Sequence, residues 1–146
     1  MSEETRLVRP SGRRHETTQT AGMRREEAIR TPTMWAGIAF TAPRTFSGWH
    51  HHGKYESVIH VLRGVLRLEY GRGGERILEA TPGETLYVAP GEIHREGNPA
   101  DDESEILVVR GGKGEIVVNV EGPSSTTRVS RVASRSRSRP ARARRA

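Results

Sequence analysis

The chain of 146 residues contains no cysteine. That excludes a disulfide framework, a thiolate metal site and a thiol nucleophile, and it fits a reducing compartment. Aromatic residues are scarce at 5%, and apolar residues reach only 33%, which suits one domain with a modest core. No apolar run approaches the roughly 20 residues that span a bilayer, and the N-terminus lacks the apolar stretch of a signal peptide. The expectation is a cytoplasmic protein with no membrane partner. Lysine is nearly missing too, with two lysines against 22 arginines.

The formal net charge of +6 is unevenly spread. Residues 124–146 carry eight arginines and no acid, whereas residues 1–123 carry sixteen basic and eighteen acidic side chains. A mildly acidic body thus bears a strongly basic tail, and we take residues 123–146 as that tail. It alternates serine or alanine with arginine, as in Ser134-Arg135-Ser136-Arg137. With almost no large apolar side chain it cannot offset the entropy of ordering, and disorder is expected. Such an arm could bind nucleic acid electrostatically. The absence of stacking aromatics among the arginines argues instead for a solvated extension without a dedicated partner.

Residues 1–33 read as a polar, partly irregular N-terminal arm. Within it Met23 to Arg30 could form two helical turns that Thr31-Pro32 stops. From 34 to 122 the pattern changes to short strands. Met34–Thr41, Thr45–His52, Glu56–Leu62, Val65–Tyr70, Arg76–Glu79, Thr85–Val88, His94–Glu96, Glu105–Arg110 and Ile116–Val120 are rich in β-branched, aliphatic and aromatic residues. Glycine, proline and asparagine separate them, and Gly71-Arg72-Gly73-Gly74 supplies the positive φ that a tight hairpin needs. Regular strands with frequent turns and no substantial helix predict an all-β sandwich or barrel.

What is present in unusual density is histidine. Four of the six lie in two short stretches, Trp49-His50-His51-His52-Gly53 and Pro90-Gly91-Glu92-Ile93-His94, and Glu56 follows the first. Side chains two apart on a strand share a face, so His50 and His52 point together while His51 points away. Imidazoles and a carboxylate converging inside a small barrel would hold a divalent transition ion with open positions.

The residues resemble the cupin superfamily of small single-domain barrels. Gly83, Ala89, Gly91, His94 and Asn98 reproduce the spacing of its second motif, with alanine in place of the usual first proline. The first motif is represented by His50, His52 and Glu56. Gly64 follows one residue further from Glu56 than the motif expects, and the glycine well before His50 is missing. The likeness runs from about Met34 to Val120. It implies a single jelly-roll β-barrel in which His50, His52, Glu56 and His94 ligate a metal drawn from Fe, Mn, Ni, Co or Zn.

Such a centre would act on a small oxygen-rich ligand or substrate, with dioxygenase or isomerase chemistry. A cupin that binds a small ligand as a sensor, without turnover, is a second reading, and nucleic-acid binding through the tail is a third. Barrels with exposed edges often pair through them, so a homodimer is expected.

Register decides which further residues face the pocket. Simple alternation through residues 50–62 would turn His60 inward as a general base, whereas a bulge between Glu56 and Val61 would turn it outward. The family pattern favours the outward placement. Trp49 and Tyr55 could line the pocket mouth or belong to the core. Asn98 should stabilise its turn through backbone hydrogen bonds. Arg67 and Arg110 could reach inward to a carboxylate or phosphate, although arginines on strands are more often solvated. Gly111-Gly112-Lys113-Gly114 lacks the following Ser/Thr and helix of a phosphate loop and reads as a turn.

Overall fold

The architecture is that of a computed structural model, which describes residues 3–16 and 20–125. Among these residues the regular secondary structure is nearly all strand, with one 3-10 turn at Pro10–Gly12. The strands in chain order are β1 (Arg14–His15), β2 (Met23–Thr31), β3 (Met34–Thr41), β4 (Thr45–Phe46), β5 (His50–His51) and β6 (Glu56–Arg63). There follow β7 (Leu66–Tyr70), β8 (Arg76–Ala80), β9 (Thr85–Val88), β10 (His94–Asn98), β11 (Ser104–Gly111) and β12 (Val118–Asn119). One antiparallel sheet runs β1-β2-β3-β11-β6-β9 and the other β12-β5-β10-β7-β8, with β4 also pairing to β10. The expected all-β, jelly-roll-like barrel is therefore what the chain forms.

The core lies between the sheets and follows from strict alternation. Along β11, Ser104, Ile106, Val108 and Arg110 are buried while the residues between them are less so. Ile106 and Val108 meet Ile59, Val61, Leu68 and Trp35 in the main apolar cluster. Each such fully buried side chain contributes about 1.5–3 kcal/mol. Leu66 and Ala80 face each other across the hairpin made by the glycine-rich turn, where Gly71, Gly73 and Gly74 all have positive φ.

Two sequence expectations change. Met23 to Arg30 is not helical. It forms β2 and pairs with β3 from Met23 opposite Thr41 to Thr31 opposite Met34. The helix-favouring Arg, Glu and Ala lose to a continuous ladder on an existing sheet, a tertiary override of local propensity. The sheet thereby extends back into the N-terminal arm, as far as Arg14. The strand expected over Thr45–His52 is broken into β4 and β5. Both pair with β10, but Phe46 lies opposite Gly97 and His50 opposite His94, so one extra residue bulges out around Ser47–Trp49. The arginine-rich tail beyond Ser125 lies outside the described residues. Among the described residues no helix is long and apolar enough to cross a membrane.

Candidate metal centre

His50 on β5 and His94 on β10 are directly opposite each other in the ladder, and His52 follows two residues after His50. All three are buried. Ring centroids stand 4.4 Å apart for His50 and His94, 4.9 Å for His50 and His52, and 5.1 Å for His52 and His94. One ring nitrogen from each lies within 4.8 Å of the others.

The backbone fixes how these rings are protonated. Nδ1 of His50 lies 2.9 Å from the Gly48 carbonyl oxygen, Nδ1 of His94 lies 2.9 Å from that of Glu92, and Nδ1 of His52 bonds that of Ile116. A carbonyl oxygen only accepts, so each Nδ1 carries the proton and each Nε2 of the neutral ring keeps a lone pair. The Nε2 atoms of His50 and His94 are buried with no hydrogen-bond partner. Burial also disfavours the cationic forms, lowering the pKa of His50 to about 4 and of His52 to about 3. Three neutral imidazoles with inward lone pairs fit a divalent transition ion, and borderline ions such as Zn, Ni, Co, Fe or Mn match the nitrogen donors.

Glu56, the expected fourth ligand, does not join the three histidines. It is exposed at the start of β6, where its carboxylate accepts a hydrogen bond of 2.8 Å from Tyr87. The reason is a change of phase between β5 and β6. Gly53 has φ +57°, and the Tyr55 N–H donates to the His52 carbonyl across a tight turn. Alternation therefore does not carry through from His52. Along β6 it is Ser57, Ile59 and Val61 that are buried, and Glu56, Val58 and Leu62 that are exposed. His60 faces outward, with Nδ1 2.8 Å from the Thr85 hydroxyl. The bulge in this strand falls at Leu62, where pairing with β11 slips from Val61–Ile106 to Arg63–Glu105. His51 turns away from the triad and accepts a hydrogen bond from the Gly53 N–H. Trp49 stacks near the Arg95 guanidinium, and Tyr55 is buried.

The carboxylate inside the barrel is Glu96. It is 4% exposed and lies two residues after His94 on β10. Burial by itself would raise its pKa, but the His94 and His50 rings once protonated, together with the Arg25 and Arg110 cations, outweigh this and hold it below the ordinary carboxylate range. Arg110 is buried at the end of the alternating series of β11, with its guanidinium carbon 5.2 Å from the centre of the Trp35 ring. Burial lowers its pKa to about 10, so it stays charged at neutral pH. A cavity of ≈ 470 Å³ is bounded by Arg25, Arg30, Arg110, Glu16 and Glu115 with Trp35, Ile116 and Val117; none of the three histidines lines it, and its link to them is Ile116, whose carbonyl holds His52. Of the two arginines that could reach inward, Arg110 does. Arg67 instead pairs with Glu69 and Glu79.

Sequence reasoning gave no role to Glu96, Ser57 or Arg25. A signal for Glu96 was available, because residues two apart on a strand share a face and Glu96 follows His94 by two. A signal for Ser57 was available in Gly64, whose one-residue offset from Glu56 vanishes when counted from Ser57.

The facing antiparallel sheets and the inward histidine triad define a class of small β-barrel, and the sequence agrees. The cupin domain family matches residues 38–110, and the chain belongs to it. No curated protein sequence matches the chain. Solved structures do. A conserved Klebsiella pneumoniae protein with a double-stranded β-helix domain is 15% identical with a TM-score of 0.65, over 81% of this chain and 99% of that one. The polyketide cyclase RemF from Streptomyces resistomycificus is 21% identical with a TM-score of 0.66, over 80% and 86% of the two chains. Oxalate oxidase is 19% identical with a TM-score of 0.58, over 73% and 60%. At these identities the likeness speaks to fold alone.

Proposed function

We propose that this cupin is a metal-dependent enzyme in which His50, His52 and His94 hold one divalent transition ion and a small oxygen-rich molecule is turned over beside it. The observation that carries the reading is the pair of buried, unpartnered Nε2 atoms on His50 and His94, each fixed as an acceptor by its own Nδ1 contact. Buried polar atoms without partners are rare in folded proteins, and a bound cation satisfies both at once. When bound, such an ion polarises a substrate oxygen and supports dioxygenase or isomerase chemistry.

The chain's own residues do the rest. The carbonyls of Gly48, Glu92 and Ile116 orient the three rings. Glu96 supplies a buried negative charge beside His50 and His94, suited to offset an added cation. Trp35 and Ile116 give the adjoining cavity an apolar patch among the charged side chains of Glu16, Arg25, Arg30, Arg110 and Glu115. Two of the structural neighbours are named as enzymes, a polyketide cyclase and an oxalate oxidase, and both names point to oxygen-rich substrates.

The test is metal analysis of protein purified without a histidine tag. About one ion per chain is expected, and His52→Ala should lose it. Oxygen uptake with a panel of diketones and catechols, abolished in that variant, would place the chemistry on the dioxygenase side. Metal and ligand bound with no turnover of any kind would make the protein a sensor rather than an enzyme.

A further inference from the structure

We infer that the barrel interior beside the three histidines contains an anion subsite, in which the Arg110 guanidinium and the Ser57 hydroxyl bind a carboxylate or enolate oxygen of the guest. The inference rests on the metal reading above and adds the charge class of the molecule that enters.

Ser57 and Arg110 are directly paired across β6 and β11, and both point into the barrel, at 1% and 3% exposure. The Ser57 Oγ and the Arg110 Nε are each buried with no hydrogen-bond partner. Two adjacent buried donors thus lack an acceptor. Among the described residues no carboxylate lies within ion-pairing distance of Arg110. A buried charge without a partner is among the costlier features a fold can retain, and a guest oxygen that accepts from both groups removes that cost. The Trp35 ring covers one face of the guanidinium, leaving its N–H edge as the part that can bind.

Charge points the same way. The groups acting on Arg110 are Glu96 and Glu16, which oppose its charge, and Arg25, which adds to it. Arg25 also borders the cavity. Counting Arg30 and Glu115, which also border the cavity, three arginines stand against three acids. A divalent ion on the imidazoles adds positive charge that Glu96 offsets only in part, and an anionic guest offsets the rest where a neutral one does not. The cavity of ≈ 470 Å³ is the size of ordinary small-molecule sites.

The test uses Zn(II) to load the full chain, and malonate and benzoate as probes, with malonamide and benzamide as neutral counterparts. Zinc affinity is measured first by calorimetry for the wild type and for Arg110→Gln, Arg110→Lys and Ser57→Ala, and none of the three variants should lose zinc, because neither residue is a ligand and removing the Arg110 charge relieves repulsion of the ion. The Arg110 Nε–H signal in a proton–nitrogen NMR spectrum, identified by its loss in Arg110→Lys, should move downfield with the carboxylates and stay put with the amides. Carboxylate affinity should fall about tenfold or more in Arg110→Gln and severalfold in Ser57→Ala. If Arg110→Gln does not fold, Ser57→Ala and Arg110→Lys decide the matter. Equal carboxylate binding in wild type and variants, equal binding of amides, or no carboxylate binding to the wild type would each overturn the subsite. Failure of the wild type to bind zinc would instead remove the metal reading. The subsite would then be judged on the Nε–H shift of the metal-free protein.

Discussion

The Tyr87 hydroxyl donates to the Glu56 carboxylate across 2.8 Å on the outer face of β6 and β9, so the acid that follows the first histidine cluster is turned away from the pocket. Glu56→Gln should therefore leave metal affinity within about threefold of wild type and change stability by less than about 1 kcal/mol, as for other exposed polar pairs. His52→Ala and His94→Ala should lower metal affinity by about 100-fold or more. Calorimetric titration with zinc separates the two outcomes, and a large loss in Glu56→Gln would return that residue to the ligand set.

Acid should weaken the metal-free protein through its histidines before its carboxylates titrate. His50 and His52 have folded-state pKa values of about 4 and about 3 against an ordinary value of 6.5. Their neutral forms belong to the folded state, whereas the unfolded chain takes up protons below its own higher pKa. Stability is thus full above the unfolded value, is lost as pH falls below it, and stops falling only beneath the folded values. Urea unfolding between about pH 7 and about pH 5 should show destabilisation approaching two protons per molecule. A flat profile there would mean that the two rings are not buried as neutral species.

Asn98 is fully buried, and its side chain serves three backbone groups. Its amide donates to the carbonyls of Thr41 and Asp102 at 3.1 and 2.6 Å, and its oxygen accepts from the Ala100 N–H at 2.9 Å. Asn98→Ala should cost about 3 kcal/mol, near 1 kcal/mol for each bond. A shift of the urea midpoint without a change in slope would show it.

Gly97 lies between the inward Glu96 and the buried Asn98, where β4 crosses closest to β10. A Cβ there would stand 2.5 Å from the Phe46 ring and collide with the Thr45 carbonyl. Gly97→Ala should force β4 off the sheet, with a loss of about 1–3 kcal/mol. Because His94 shares the strand, zinc affinity should fall with it. Unchanged stability and zinc affinity would show that β4 contributes little to holding β10 in place.

The second half of the site was the more legible one. His94 to Asn98 forms an unbroken strand, so spacing in sequence translates directly into facing, and Asn98 makes the turn contacts anticipated for it. Around His50 the same rule fails. The bulge at Ser47–Trp49 and the turn at Gly53 each reset the alternation, and neither is fixed by the identity of any one residue. That is why Glu56 was expected inside and Ser57 was not. The helical reading of Met23 to Arg30 failed for a different cause, since its ladder partner on β3 is adjacent only after folding. A buried arginine is equally hard to foresee, because nothing in a strand pattern separates Arg110, which turns in, from Arg67, which does not.

One bond couples the cavity wall to the ligand set. The Ile116 carbonyl that orients His52 belongs to the loop between β11 and β12, and Ile116 and Val117 of that loop form part of the boundary of the cavity. A guest on that side would meet the same residue whose carbonyl keeps the proton on Nδ1 of His52. Cavity wall and metal ligand thus share one peptide group, and a displacement of Ile116 would be felt at the Nδ1 hydrogen bond of His52.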